Sequence, residues 1–281
     1  MPVEGGEKWN DDEKTLMKVY GLTAEQMCWR RWKQSELKEL FYQEYPENDT
    51  DCWITGEISV FDGGAIRRHM LNARAGTVEG NVEIWKDVIG GRKYVIACDV
   101  GGGHLKGDFS VATVWEARTN EHVATLRGRL APDLFATEAM RLGRRYNDAL
   151  AAIERNNHGH VVIKCFIDAS YPNLYYHTDY DMTTGGIAAT PGWITSGKTK
   201  PIMVDGFGAA LRANDLTTHS VNLLNEAASY QYKAGTMEKL KTGAAPGEYD
   251  DELVSAMIAL AVREHDPGAL FDERYPIERY E

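Results

Sequence analysis

The stretch Tyr94-Val95-Ile96-Ala97-Cys98-Asp99 leads into the glycine-rich segment 100–103, and a second apolar stretch, Phe109–Ala117, follows closely. Short apolar runs bounded by turn residues are typical of buried strands. The glycines predict a sharp turn between the two strands, and a third strand is predicted at Glu121–Leu130. Strands that follow one another this closely predict an antiparallel meander.

The second half of the chain alternates between strand and helix patterns. A further strand is predicted at Ala149–Ile153. An amphipathic helix is predicted at Ala136–Tyr146, and further helices are predicted at His158–Ala169, Pro201–Ala213 and Asp250–Val262. Strands that are first antiparallel and then alternate with helices predict an α/β fold: a mixed sheet, in which an antiparallel meander is joined by parallel strands, flanked by helices.

The N-terminal region has a different pattern. Helices are predicted at Asp11–Tyr20 and Thr23–Tyr45, with Thr23 as a helix cap, and a turn is predicted at Asp62-Gly63-Gly64 with short strands after it. We place a domain boundary near Gly90-Gly91, which separates residues 1–90 from residues 91–281.

Composition narrows the class of protein. The chain has 281 residues, 43% of them hydrophobic and 26% charged, and no apolar run long enough for a transmembrane helix. Its four cysteines are widely spaced, which favours reduced thiols over a disulfide or zinc framework. The net charge of −11 argues against a protein that coats nucleic acid, but it does not exclude an enzyme that cuts nucleic acid at a carboxylate-rich metal site.

Three acidic positions each coincide with the end of a regular element. Asp99 and Glu154 each end a predicted strand, and the pair Asp250-Asp251 opens the last helix. A carboxylate at the end of a buried strand is costly unless a cation or a donor meets it. Because Mg²⁺ and Mn²⁺ prefer oxygen ligands, and two-metal sites use several carboxylates, the three positions point to a divalent-metal site.

The segment from Asp99 to Asp108 has three interpretations. Asp99 can bind a metal with Asp108 as an auxiliary ligand. The glycine turn can instead cradle phosphate, as in the actin and sugar-kinase hairpin, where an aspartate precedes a glycine-rich turn and a lysine. It can also be an ordinary hairpin with a solvated aspartate.

Two other acidic segments also have structural alternatives. After Glu154, either Asn156 or Asn157 can simply cap the next helix, whereas Arg155 and the helix N-terminus can form a phosphate site. Of Asp250 and Asp251, one is expected to cap the last helix and to favour its dipole, which leaves the other for a metal.

The segment Gly192–Thr199 matches the Walker A pattern. That pattern binds phosphate only where a buried strand precedes it and a helix follows. Here Pro191 disfavours a central strand, and Lys200-Pro201 follows. We therefore expect a basic loop that contacts a nucleic-acid backbone, not a nucleotide site.

In their order and spacing, these segments resemble the C-terminal nuclease domain of the large terminase subunit of tailed bacteriophages, which has an RNase H-like fold. The resemblance spans nearly the whole chain. The stretches that resemble the region joining the terminase ATPase and nuclease domains are Leu22–Gln26, Trp29–Arg31, Gln43–Pro46 and Gly56–Phe61. Residues 1–90 would then be this partly helical linker region, and residues 91–281 the nuclease domain.

The resemblance implies a metal-dependent DNA endonuclease that uses two divalent ions, Mg²⁺ or Mn²⁺, and cuts concatemeric viral DNA with low sequence specificity. It implies Asp99, Glu154 and Asp251 as catalytic metal ligands, with Asp250 and Asp108 as further candidates. Arg155, Lys198 and Lys200 are candidate contacts to the DNA backbone, which position DNA without reading sequence.

The chain departs from a complete large terminase because the sequence has no credible ATPase motor, so packaging by ATP hydrolysis is not carried over. The partners implied are double-stranded DNA, the terminase small subunit and the portal protein, in the cytoplasm of the bacterial host. Two rival functions remain: an actin-like phosphotransferase, which would need a second phosphate loop, and a catalytically idle remnant that binds DNA or the portal.

Overall fold

The computed structural model describes residues 9–37, 41, 45, 59–104, 107–156, 158–181, 186–233 and 241–263. The helices in these ranges are α1 (Asp11–Tyr20), α2 (Ala24–Leu37), α3 (Gly63–Met70), α4 (Pro132–Arg145), α5 (Gly159–Asp168), α6 (Thr199–Ala213), α7 (Val221–Ser229) and α8 (Asp251–Arg263). The strands are β1 (Thr77–Glu79), β2 (Val82–Ile84), β3 (Tyr94–Asp99), β4 (Ser110–Glu116), β5 (Glu121–Gly128), β6 (Leu150–Ile153), β7 (Tyr176–Asp181), β8 (Gly186–Pro191), β9 (Tyr230–Lys233) and β10 (Lys241–Ala244).

A six-stranded sheet with the order β1-β2-β5-β4-β3-β6 organises the fold. Strands β3, β4 and β5 form the predicted antiparallel meander, whereas β6 pairs with β3 in parallel. Two separate hairpins, β7-β8 and β9-β10, lie outside this sheet. The predicted α/β class and the mixed sheet are confirmed. None of the helices in the described ranges is long and apolar enough to span a bilayer.

Helices cover both faces of the sheet, which explains why β3 is apolar at successive positions. On one face, Val95 and Ala97 pack in a core with side chains of α3, α6, α7 and α8. On the other face, Ile96 and Cys98 pack in a second core with side chains of α4 and α5. Because alternate residues of a strand point to opposite faces, one strand contributes to both cores.

Helix α8 is attached to the middle of the sheet by a buried serine. The Ser255 hydroxyl donates to the carbonyl of Ala97 on β3 at 2.8 Å and accepts from the backbone N–H of Thr113 on β4 at 3.1 Å. Its oxygen also lies 2.8 Å from Oγ1 of Thr113. Ser255 and Thr113 are both fully buried. This contact sets the position of α8 along β3.

Two local predictions in the N-terminal region have opposite outcomes. The cap at Thr23 is confirmed, because its hydroxyl accepts from the N–H of Gln26 at 3.3 Å. The prediction of a turn at Asp62-Gly63-Gly64 is wrong. Asp62 caps α3 by accepting from the N–H of Ala65 at 2.6 Å, and the two glycines form the first helical positions. The part of the predicted helix at 38–40 and 42–44 lies outside the described residues.

The sheet extends across the predicted domain boundary near Gly90-Gly91. Strand β2 pairs with β5, with Val82 opposite Leu126. Phe61 and Ile66 belong to the same core as Val95. Residues on the N-terminal side of the boundary therefore pack with the sheet that follows it. The assignment of residues 1–90 to a linker region stays a prediction.

We predict that Ser255→Ala destabilises the protein by about 1–3 kcal/mol, because it removes the hydrogen bonds of Ser255 with Ala97 and Thr113 and leaves the buried Thr113 hydroxyl without its Ser255 partner. Urea unfolding followed by circular dichroism measures the change. The control is Ser35→Ala, since the exposed Ser35 hydroxyl donates to a carbonyl of its own helix. This substitution should change the free energy of unfolding by no more than about 0.5 kcal/mol. Equal stabilities for the two variants would contradict the role assigned to Ser255.

Candidate functional site

A cavity of about 330 Å³ opens where β3 and β6 end. The two strands are parallel, so their carboxyl ends meet at one edge of the sheet, which is where open α/β sheets generally bind ligands. The N-terminus of α8 and the residues just before β4 complete the wall. All five acidic residues predicted for the metal site line this cavity: Asp99, Asp108, Glu154, Asp250 and Asp251.

Asp99 and Glu154 lie side by side at the strand ends. The N–H of Glu154 donates to the carbonyl of Cys98 at 2.9 Å, which continues the pairing of β6 with β3. Desolvation raises the pKa of Asp99 well above its ordinary value of 3.8, and the charges of Glu154 and Asp251 raise it further. The surroundings of Asp99 therefore disfavour its charged form, and a nearby cation would stabilise it.

Asp251 is the first residue of α8 and is 7% exposed. Its Oδ2 accepts a hydrogen bond from the N–H of Phe109 at 3.2 Å. Burial raises the pKa of Asp251 to about 6, against the lowering effect of the Phe109 N–H, and the charge of Asp108 adds to the increase. Asp251 thus resembles Asp99 in carrying a charge that its surroundings disfavour.

Asp250 and Asp108 hold more peripheral positions. Oδ2 of Asp250 accepts from the N–H of Ala244 at 3.1 Å, so this side chain also ties β10 to the start of α8. Asp108 is exposed at the cavity edge. Its backbone crosses Gly101 so closely that a Cβ at Gly101 would lie 2.6 Å from the Asp108 carbonyl oxygen. Glycine is required there for the turn to close.

Among the described residues, no three His, Cys, Asp or Glu side chains are already arranged around a common point as a metal site would be. The acids surround the cavity instead. The donor set consists of carboxylate oxygens, which is the chemistry that Mg²⁺ and Mn²⁺ prefer. The raised pKa values of Asp99 and Asp251 show that a cation would relieve an unfavourable concentration of negative charge. The residues present therefore fit a divalent ion.

The three predicted DNA contacts are not brought together. Lys200 lines the cavity, and its Nζ donates to the carbonyl of Thr242 at 3.0 Å. Lys198 is exposed at the start of α6, and Arg155 is half-buried beside Gly192; neither lines the cavity. Of the three, only Lys200 places its charge beside the acids.

The Walker-like segment is preceded by a strand, β8, and followed by a helix, α6. However, β8 pairs with β7 in a separate hairpin, so it is not a central strand of the main sheet. The Thr199 hydroxyl donates to the carbonyl of Ile194 at 2.6 Å and the N–H of Lys198 donates to Ser196 Oγ at 3.2 Å. The polar groups of Ser196 and Thr199 thus bond within the segment, whereas the buried Thr195 hydroxyl, which lines the cavity, has no hydrogen-bond partner among the described residues.

A cationic and aromatic cluster beside the acids was not predicted from the sequence. The guanidinium of Arg129 lies 3.8 Å from the ring centroid of Phe109, and it donates to Tyr249 Oη at 3.2 Å and to the Gly107 carbonyl at 2.9 Å. Tyr249 lines the cavity. Arg129 and Tyr249 are far apart in the sequence, and no local pattern predicts their contact.

A buried ion-pair cluster lies next to Asp251. Arg127 contacts Glu226 at 2.7 Å and Glu252 at 3.2 Å, and the Ser220 hydroxyl donates to Glu252 at 2.6 Å. Burial raises the pKa of Glu226 to about 8, and the charge of Glu252 adds to the increase. Arg127 is engaged by two carboxylates outside the cavity, which limits how far it can offset the charge of Asp251.

No family model matches the sequence, and no curated protein matches it. The fold, in contrast, is similar to solved structures of phage large terminase nucleases. The nuclease from thermophilic phage G20c with bound magnesium aligns with a TM-score of 0.60 and 16% identity, over 73% of this chain and 98% of that one. The Thermus phage P74-26 large terminase nuclease domain aligns with a TM-score of 0.56 and 18% identity, over 73% and 96%.

A zinc-bound form of the G20c nuclease aligns with a TM-score of 0.52 and 15% identity, over 72% of this chain and 97% of that one. At these identities the likeness concerns the fold, which is the RNase H-like fold predicted from the sequence. The functional argument depends on the residues of the cavity.

We predict that the metal-free protein loses stability as the pH rises from 3.8 to about 6 through the titration of Asp251. A carboxyl group whose folded-state pKa is raised stabilises the fold below its unfolded pKa, and this contribution is lost as the pH passes the folded-state value. Asp251→Asn should therefore flatten the pH dependence of the unfolding free energy, measured by urea denaturation in EDTA.

The exposed Asp168 of α5, which pairs with Lys164, provides the matched control. Asp168→Asn should keep the wild-type pH profile, and excess Mn²⁺ should raise the stability of the wild type most above pH 6. An Asp251→Asn profile that follows the wild type between about pH 4 and 7 would refute the prediction.

Proposed function

We propose that this chain is a metal-dependent DNA endonuclease of the kind that cuts concatemeric viral DNA during genome packaging. The observation that carries the proposal is a cavity lined by five carboxylates, which lie at the ends of β3 and β6, just before β4 and at the start of α8. The fold shared with phage terminase nucleases supports it, because those proteins are named for nuclease activity.

In this proposal Asp99, Glu154 and Asp251 hold two divalent ions, Mg²⁺ or Mn²⁺. Asp250 and Asp108 are further ligands at the cavity edge. When bound, such ions activate water for in-line attack on phosphorus and stabilise the leaving oxygen. Asp251 is restrained by the Phe109 N–H and Asp99 by the strand pairing of β3, so the chain presents these carboxylates from rigid elements.

DNA must approach a chain with a net charge of −11, so its phosphates need local positive charge. Lys200 supplies this charge inside the cavity, and Arg129 supplies it at the Tyr249 edge. Lys198 and Arg155 lie outside the cavity, where they can contact the backbone of a longer duplex. Such contacts position DNA without reading sequence, so cutting of low specificity is expected.

The wider assignment follows from the same proposal. The substrate would be double-stranded DNA in the cytoplasm of the bacterial host, and the terminase small subunit and the portal protein would be partners. A rival phosphotransferase activity gains no support from the Walker-like loop, because its Ser196 and Thr199 hydroxyl groups bond within the loop.

We predict that Asp99→Asn reduces Mn²⁺- or Mg²⁺-dependent nicking of a supercoiled plasmid by at least about 100-fold, because loss of even the outer partners of a metal ligand costs about 10–100-fold. The variant should remain folded, since losing the charge of a desolvated carboxylate relieves repulsion with Glu154. Agarose gels of plasmid forms against time give the rate, and thermal unfolding verifies the fold.

Asp168→Asn is the matched control, because it makes the same chemical change on the exposed side of α5. It should cut at the wild-type rate. A folded Asp99→Asn protein that nicks as fast as Asp168→Asn would rule out the assigned site. A wild-type protein that binds DNA but never cuts it with either metal would favour the idle remnant.

We predict that Lys200→Ala and Lys198→Ala each weaken DNA binding. Each should also reduce the slope of log K against log salt concentration by about 0.9 for every phosphate that the lysine neutralises in the wild type. Fluorescence anisotropy with a labelled duplex at several salt concentrations measures both effects. Lys164→Ala, which removes an exposed cation of α5, is the control for the removal of one positive charge.

The same proteins test the Walker-like segment. ATP should not bind the wild-type chain above background, because the Thr199 hydroxyl already donates to Ile194 within the loop. Nucleotide binding that disappears in Lys198→Ala would overturn this interpretation and would indicate a phosphate-binding loop.

A further inference from the structure

The side chain of Asn156 lies between the two strand-end carboxylates. Its Nδ2 donates to Glu154 Oε2 at 3.0 Å and to Asp99 Oδ1 at 3.2 Å. The same nitrogen also donates to the carbonyl oxygen of Val100 at 3.4 Å. One amide group thus connects the last residue of β3 to the residue that follows β6.

The other end of the same amide is fixed by helix α5. Asn156 Oδ1 accepts from the N–H of Gly159, the first residue of the helix, at 3.0 Å. The two bonds determine the orientation of the amide, since the reverse orientation would place its oxygen against two carboxylates and its NH₂ against an N–H. Asn156 therefore pairs with a first-turn N–H of α5, which is the capping role predicted for Asn156 or Asn157. It also bridges two carboxylates, which was not predicted.

The backbone around Asn156 leaves little freedom for this side chain to move. A Cβ at Gly159 would lie 1.8 Å from the carbonyl oxygen of Glu154 and 3.2 Å from Asn156 Oδ1. Glycine alone allows the first turn of α5 to pack this closely against the end of β6. The amide is consequently held by a helix on one side while it holds two carboxylates on the other.

The bridge uses one oxygen of each carboxylate. Because a carboxylate has two oxygens, Asp99 and Glu154 each keep a second oxygen for another ligand. The partial positive charge of the amide N–H groups also offsets the repulsion between two negative groups at close range. A metal site needs both effects, since its ligands must stay close together before the cation arrives.

We infer that Asn156 is a positioning residue, which holds Asp99 and Glu154 at the separation and orientation that a divalent cation requires. The inference rests on the proposed function, because it takes the two carboxylates to be metal ligands. Asn156 itself contacts neither the cation nor DNA in this scheme. Its effect should therefore appear in metal affinity and not in the KM for DNA.

Two substitutions separate the bridge from the cap. Asn156→Ser keeps an oxygen that can cap α5 but removes the NH₂ group, whereas Asn156→Ala removes both. We expect both variants to bind Mn²⁺ about 10–100-fold more weakly than the wild type, as for other residues that orient metal ligands. The melting temperature of Asn156→Ala alone should fall clearly.

Isothermal titration with Mn²⁺ in the absence of DNA gives the affinity, and plasmid nicking against Mn²⁺ concentration gives a second readout. In nicking, the Mn²⁺ concentration for half-maximal rate should rise for both variants, with the KM for DNA unchanged. Asn173→Ser is the control, because the exposed Asn173 amide donates to the carbonyl of Asp148, away from the cavity. It should bind Mn²⁺ as the wild type does.

Wild-type Mn²⁺ affinity in Asn156→Ser, with weaker binding only in the less stable Asn156→Ala, would show that Asn156 is only a cap and would overturn the inference. A wild-type protein that binds no Mn²⁺ would overturn the inference and the metal-dependent function together. A wild-type protein that binds Mn²⁺ but cuts no DNA would refute the nuclease, while the affinities of the variants would still decide the role of Asn156.

Discussion

The site depends on the contact by which Ser255 fixes α8 to the sheet. Ser255 lies one helical turn after Asp251, on the same side of α8, and Ala97 lies two residues before Asp99, on the same face of β3. The hydrogen bond from Ser255 to Ala97 therefore sets the register that brings Asp251 to the end of β3. The hydrogen bonds of this fully buried hydroxyl specify one position of α8 along β3, whereas an apolar contact would let the helix slide along the strand.

The electrostatics of the site follow from where the nearby cations are engaged. Arg127 approaches Asp251, yet its guanidinium pairs with Glu226 and Glu252. Lys200 reaches the cavity but donates to a backbone carbonyl. The cavity acids consequently keep an excess of negative charge, which adds to burial in raising the pKa of Asp99 and of Asp251. In a structural ion-pair network, cationic side chains would neutralise this negative charge. In a site for divalent cations, the negative charge attracts the cation.

The elements and their acidic ends could be predicted because each is a local property of the sequence: an apolar run, a terminal carboxylate, a glycine turn. Contacts between distant segments could not. Arg129 meets Tyr249 only because β5 and the loop before α8 are adjacent in space. The prediction at Asp62 was wrong because Asp-Gly-Gly suits a turn and a helix start equally well, and packing of Ile66 into the core decides for the helix. The contact of Asn156 with Gly159 is local and follows the capping pattern of the sequence. Its bridge to Asp99 and Glu154 could not be predicted, because it depends on the pairing of β3 with β6.

Similarity to the phage nucleases at 16–18% identity shows how few residues this fold needs to retain. The parallel pairing of β3 with β6 is sufficient to place two strand ends together. In the proposed function, Asp99 and Glu154 at those ends then supply metal ligands. In the proposed function, the same charge that attracts a divalent cation repels the phosphates of DNA until the cation is bound. The charge distribution therefore favours an order in which metal binds before the scissile phosphate enters the cavity, with Lys200 and Arg129 holding the flanking backbone.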